Sequence, residues 1–146
     1  MLDLSPEQLE SIMRRLDFLR IEVGDIPCFS SMTQADYTLD RDRRRSLERL
    51  VENIVNASTD IAKIALSTQG LPVPDTYRDS MLQMGVAGLI EQELAERLAE
   101  MVRLRNILAH QYLDIRWEAL RGFIRDGPAI LQQFISAIEH LVGGNR

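Results

Sequence analysis

Arg105, Asn106 and His110 fall within the stretch RLRNILAHQY at 103–112. A guanidinium forms paired hydrogen bonds that suit a phosphate. An imidazole gives and takes a proton near neutral pH. Together they are the minimal chemistry for cutting RNA without a metal. A base takes the proton of the ribose 2′-hydroxyl, a cation stabilises the charged phosphorane, and an acid protonates the leaving oxygen. The other histidine, His140, lies far along the chain with no companion at ligand spacing and reads as a surface residue. Base and acid roles therefore need a second group, which a two-fold dimer supplies by bringing two copies of the stretch together.

The helical wheel complicates this picture. Each residue turns an α-helix by about 100°. With Leu98 as reference, Met101, Val102, Leu108 and Ala109 fall within about 80° and form an apolar stripe. Arg105 falls near its centre, as does Tyr112 if the helix persists that far. Arg103, Asn106 and His110 gather on an adjacent face. An unpaired Arg in a dry core is severely unfavourable. Either Arg105 snorkels or pairs at a bundle end, or the stripe opens into a cleft or onto a symmetric partner. For His110 the plain alternative is a capping or core histidine near a helix C-terminus. In one straight helix Arg105 and His110 point different ways. A joint site requires the helix to end near His110, or a second protomer, or both.

The elements that position these residues read as helices. Ser5-Pro6-Glu7-Gln8 is a compact helix start with a capping-box pattern. Leu9, Ile12, Met13, Leu16, Leu19 and Val23 follow at helical spacing, and Gly24 and Pro27 end that helix. Residues 25–39 read as a short helix or a loop. A long stripe from Leu47 to Ala65 predicts a helix over 40–69, closed by Gly70, Pro72 and Pro74. Further helices are expected over 75–84 and 91–109. The remainder, 115–142, is helical with a break or kink expected at Gly127-Pro128. Strand-like alternation, repeats and low-complexity tracts are absent. The expectation is one all-α domain over 1–146, an antiparallel up-down bundle of four to six helices.

Composition agrees. Apolar residues make up 45% of the 146-residue chain and aromatics only 5%, so the core must be largely aliphatic, a mix that favours helices. No apolar run approaches the roughly 18–20 residues needed to cross a bilayer, and MLDLSPEQLE lacks a signal-peptide pattern. A cytoplasmic protein without a membrane partner is expected. The net charge of −5 argues against gripping nucleic acid through a broad basic surface, though not against a local RNA site. Cys28, the sole cysteine, excludes an intrachain disulfide and a Cys-based metal site, and reads as a small buried hydrophobe. No metal-ligand cluster, phosphate-binding Gly loop or nucleophile elbow is visible.

The segment RNILAHQYLDI resembles the signature of the HEPN superfamily, an Arg and a His separated by four to six residues, with a polar residue, here Asn106, after the Arg. It is most similar to the HepT-like branch, the toxin half of MntA–HepT toxin–antitoxin pairs, whose motif continues to a Tyr two residues after the His. Tyr112 fits that position. The segments at 40–66, including Glu52 and Asp60-Ile61-Ala62, and at 74–85 resemble the preceding helices of the same branch. Arg103, where a small or apolar residue is usual, and Ala109, where Val is usual, depart from the pattern. The resemblance implies an all-helical homodimer whose two motifs share one cleft. It also implies metal-independent endoribonuclease activity with Arg105 and His110 catalytic and Asn106 supporting. It implies a cognate nucleotidyltransferase antitoxin that transfers AMP from ATP to Tyr112, and no cofactor for this chain itself. The rival reading is a non-catalytic helical dimer that binds and serves its nucleotidyltransferase. For Tyr112 the alternative is a bundle-edge aromatic with a surface hydroxyl.

Other charged residues admit two readings. Arg41, Arg43, Arg44, Arg45 and Arg49 form either a solvated face balanced by Asp40, Asp42 and Glu48, or a contact for RNA backbone or antitoxin. Arg103, Arg44 and Arg45 are the candidates for that contact. Glu52, Asp60, Arg78 and Asp79 either orient the cleft or form interhelical ion pairs. Trp117 is expected to anchor the last helices or the dimer.

Overall fold

The computed structural model describes residues 1–143, and the last three positions of the domain expected over 1–146 lie outside them. The described residues form seven α-helices and one 3₁₀ turn, with no strand. Helix α1 (Pro6–Asp25) starts with the expected capping box. The Gln8 N–H donates to Ser5 Oγ at 3.1 Å, and the Ser5 N–H donates to Gln8 Oε1 at 2.9 Å. A 3₁₀ turn (Ile26–Phe29) and the short α2 (Gln34–Leu39), capped by Thr33, fill the region that the sequence left as helix or loop. Helix α3 (Arg41–Ser67) is the central rod, contacting α1, α2, α4 (Tyr77–Val86) and α6 (Leu104–His110). Helices α4 and α5 (Gln92–Val102) form a tight hairpin, with Gly88 at φ +73° in the turn. Helix α7 (Leu113–Val142) closes the bundle against α1, α2, α5 and α6.

The architecture is the expected all-α up-down bundle, with six helices if α5 and α6 are taken as one interrupted rod. Two local expectations are corrected. Gly127-Pro128 does not break α7, which runs through Pro128 to Val142. Proline removes one backbone bond there, but the flanking Phe123, Leu131, Phe134 and Ile135 are buried, and that burial keeps the rod whole. Gly127 sits so close to the Phe123 ring that an added Cβ would lie 2.8 Å from it. Cys28 is exposed, not buried, because the 3₁₀ turn directs Ile26 inward instead.

The core is aliphatic, as composition requires. Leu47, Ile54, Ile61 and Leu66 of α3 are fully buried and share one core with Ile12, Leu16 and Leu19 of α1 and Phe134 and Ile138 of α7. The first residues meet the last turn of α7, where the Leu2 N–H donates to the Leu141 carbonyl at 3.0 Å. Trp117 anchors α7 as expected, its ring centroid 5.5 Å from that of buried Tyr37 on α2. None of the described helices is long and apolar enough to cross a membrane.

Candidate active site

The helix expected over 91–109 is interrupted at Arg103, which closes α5 and opens α6. The Arg103 N–H reaches back to the Glu100 carbonyl at 3.3 Å, and the Arg103 carbonyl accepts from Asn106 at 3.0 Å. This hitch shifts the phase of the wheel. Leu104 turns inward and is buried, while Arg105 and Asn106 turn outward. The physical reason is the cost of burying a guanidinium against the gain of burying a leucine. The predicted stripe ends with the hitch: Leu98, Met101 and Val102 are buried, but Leu108 is half-buried and Ala109 exposed.

Exposure does not leave Arg105 adrift. Its guanidinium lies 4.7 Å from the centroid of the Tyr77 ring. Lys63 of α3 stands 5.1 Å from the same ring, and the Tyr77 hydroxyl donates to Asn56 Oδ1 at 3.3 Å. Among the described residues no carboxylate pairs with Arg105, although most of the other arginines have one.

Helix α6 ends at His110. Arg105, Asn106 and His110 thereby line one groove of about 410 Å³ within a single protomer. Glu48 and Glu52 of α3 line its opposite wall. Glu48 is firmly engaged and Glu52 only loosely. Glu48 accepts a hydrogen bond from the Tyr37 hydroxyl and pairs with Arg116 at 3.4 Å. Glu52 pairs with Arg49 at 3.9 Å. Arg116 also donates through Nε to the Gln111 carbonyl at 2.8 Å, which pins the turn between His110 and Tyr112 to α3. Burial, reinforced by the hydrogen bond to Glu48, pushes the Tyr37 phenol above its ordinary pKa.

Tyr112 precedes α7 as its N-cap and is 84% exposed. The arginines at the start of α3 divide. Arg43 pairs with Asp36, and Arg44 donates to the carbonyls of Tyr37 and Thr38 at 3.1 and 2.9 Å, tying α2 to α3. Arg45 is exposed. Neither Arg44 nor Arg45 lines the groove, and Glu48 serves Arg116 instead of the arginine cluster. Arg103 lies across the hitch from His110, outside the groove, and so does not share a face with it as the straight wheel required. Among the described residues no group of three His, Cys, Asp or Glu side chains converges as a metal site. Sequence reasoning missed Tyr77, Lys63 and Arg116, whose partners lie on other helices and follow no spacing rule.

The groove sits on a chain with clear relatives. Residues 7–138 match the family described as ribonuclease HepT-like. The chain is 29% identical over 137 residues to the mRNA nuclease HepT of Shewanella oneidensis, covering 94% of this chain and 97% of that protein. It is 31% identical over 108 residues to the tRNA nuclease HepT of Aphanizomenon flos-aquae, covering 74% and 69%. Among solved structures, its fold is similar to a tri-AMPylated Shewanella oneidensis HEPN toxin in complex with MNT antitoxin. The TM-score is 0.77 at 24% identity, over 89% of this chain and 97% of that one. A toxin–antitoxin structure with AMP-PNP gives 0.76 at 24% identity, over 90% and 98%. With the bundle, the match over most of its length and the Arg–His groove together, the chain belongs to the ribonuclease HepT-like family.

Proposed function

We propose that this protein is the toxin of a toxin–antitoxin pair and a metal-independent endoribonuclease acting through Arg105 and His110. One observation carries the reading. Arg105, free of any carboxylate among the described residues, shares a groove with His110 in which Glu48 of the acidic wall is already engaged by Arg116 and Tyr37. A phosphate entering there meets a guanidinium that no carboxylate competes for. His110 takes the proton of the 2′-hydroxyl, which attacks the adjacent phosphorus. Arg105 steadies the charge on the phosphorane, and Asn106 offers a neutral donor beside it. The 5′-oxygen leaves with a proton, giving a 2′,3′-cyclic phosphate and a 5′-hydroxyl. The acid for the second transfer is His110 of a second protomer, in a homodimer with the two grooves facing.

Regulation falls to Tyr112 and a cognate MntA-like nucleotidyltransferase antitoxin. The phenolic oxygen attacks the α-phosphorus of ATP, pyrophosphate leaves, and the phenol proton is lost. The exposure of Tyr112 gives that enzyme access, and the attached phosphate competes with RNA for Arg105. The test is cleavage of RNA by purified dimer in EDTA. Wild-type protein yields cyclic-phosphate ends, and His110→Ala and Arg105→Ala each lose at least about a hundredfold in rate. Cleavage that survives both substitutions overturns the mechanism. RNA binding without cleavage, by protein whose intact mass shows Tyr112 unmodified, favours a non-catalytic binding subunit.

A further inference from the structure

Arg105 and Asn106 also line a second cleft, on the other side of the ridge they form. It has a volume of about 550 Å³ and lies between the start of α4 and the hitch between α5 and α6. Arg78 and Arg103 stand in its walls beside Arg105, and Tyr77 provides an aromatic surface. Asp75 and Asp79 line it as well, so its formal charge is three Arg against two Asp. Arginines thus outnumber carboxylates along this lining, and three of them in one cleft can meet successive phosphates of a strand. Its own ion pairs are loose or exposed. Arg78 and Asp79 are 4.0 Å apart, with both side chains more than half exposed. Arg103 pairs with Glu100 at the surface, three residues away on the same rod. Exposed pairs of that kind carry little net energy and yield readily to a phosphate. The volume lies in the range that takes a small ligand, enough for a nucleotide.

Resting on the RNA-cleaving reading above, we infer that this cleft is a subsite for the RNA strand flanking the reacting phosphate. Arg105 holds the phosphodiester that reacts, on the ridge. Arg78 and Arg103 hold the next phosphodiester along the strand, and the nucleotide between them lies against Tyr77 and Asn106. The −5 net charge of the chain is no obstacle, because the contact is a short arginine track instead of a basic surface.

The test measures binding of fluorescein-labelled single-stranded RNA of mixed sequence to dimeric His110→Ala protein, by anisotropy, between 50 and 200 mM salt. Adding Arg78→Gln and Arg103→Gln together weakens binding about tenfold at the lowest salt. It also reduces the slope of log affinity against log salt by about 1.4, since each single-strand contact contributes about 0.7. Arg14→Gln, an exposed arginine on α1 outside both clefts, changes neither. Binding of unchanged strength and slope after the Arg78 and Arg103 substitutions overturns the subsite and leaves the cleavage reading standing. An equal loss from Arg14→Gln reduces the effect to general charge and overturns it too. Failure of the His110→Ala protein to bind RNA at all, with its helical circular dichroism intact, sinks the subsite and the RNA-cleaving reading together.

Discussion

Replacing Tyr37 by Phe keeps a buried ring against Trp117 and deletes one hydroxyl, the donor to Glu48. Burial and the Glu48 carboxylate both hold the phenol in its protonated form, so its folded-state pKa lies above the unfolded value near 10. The contribution is therefore complete below pH 10. It is lost as pH rises beyond 10, where the unfolded chain ionises and the folded one does not. The loss is about 1.4 kcal/mol per pH unit, so roughly 2 kcal/mol is gone by pH 11.5. Near pH 8 the Phe variant is less stable by about 1.5–3 kcal/mol, the worth of a hydrogen bond to a charged acceptor. The gap between the two proteins should then close to within about 1 kcal/mol by pH 11.5. Urea unfolding followed by helical circular dichroism at fixed ionic strength, between pH 8 and 11.5, reads this directly. Every other alkaline-titrating side chain is common to both proteins and cancels. A gap that stays constant across the range shows that Tyr37 does not hold its proton against Glu48 and refutes the reasoning.

Arg116→Met strips Glu48 of its cation and releases the Gln111 carbonyl. A loss of about 1–3 kcal/mol is expected, seen as a drop of roughly 3–10 °C in Tm, together with slower RNA cleavage as the turn after His110 loosens. Leu104→Ala removes the one fully inward side chain of α6. It should cost about 2–5 kcal/mol in chemical denaturation, and it should lower cleavage even where the bundle remains folded. Gly85→Ala places a methyl 2.8 Å from the Ala95 Cβ across the α4–α5 hairpin. Overpacking of about 1–3 kcal/mol should appear as a lower denaturation midpoint with an unchanged m-value.

The sequence made the rods legible because apolar spacing and capping chemistry are local. Ser5 and Gln8 announce α1, and Gly70 with Pro72 and Pro74 closes α3. The hitch at Arg103 was not legible, since no Gly or Pro marks it. It arises from a competition between burying Leu104 and burying Arg105, which is settled only once α3 and α7 stand against α6. The conflict itself was visible as an Arg at the centre of an apolar stripe. The same limit explains Pro128. A proline rule predicts a break, but the rule is local and the packing of Phe123 and Phe134 is not. Of the groove, Arg105, Asn106 and His110 were readable from type and spacing. Tyr77 under Arg105 and Arg116 behind Glu48 were not, because those partners are 28 and 68 residues apart.

The hitch at Arg103 also separates two stabilities. Helix α6 is only seven residues long, below the length at which a helix sustains itself in water, and Leu104 is its sole buried side chain. Helix α5 beside it buries six. The free energy of opening α6 is therefore a fraction of that of unfolding the bundle, and its amides should exchange with solvent through local openings long before those of α3 or α5. The segment that carries Arg105, Asn106 and His110 behaves as a hinged leaf on a rigid frame. It can adjust to a strand without disturbing the core.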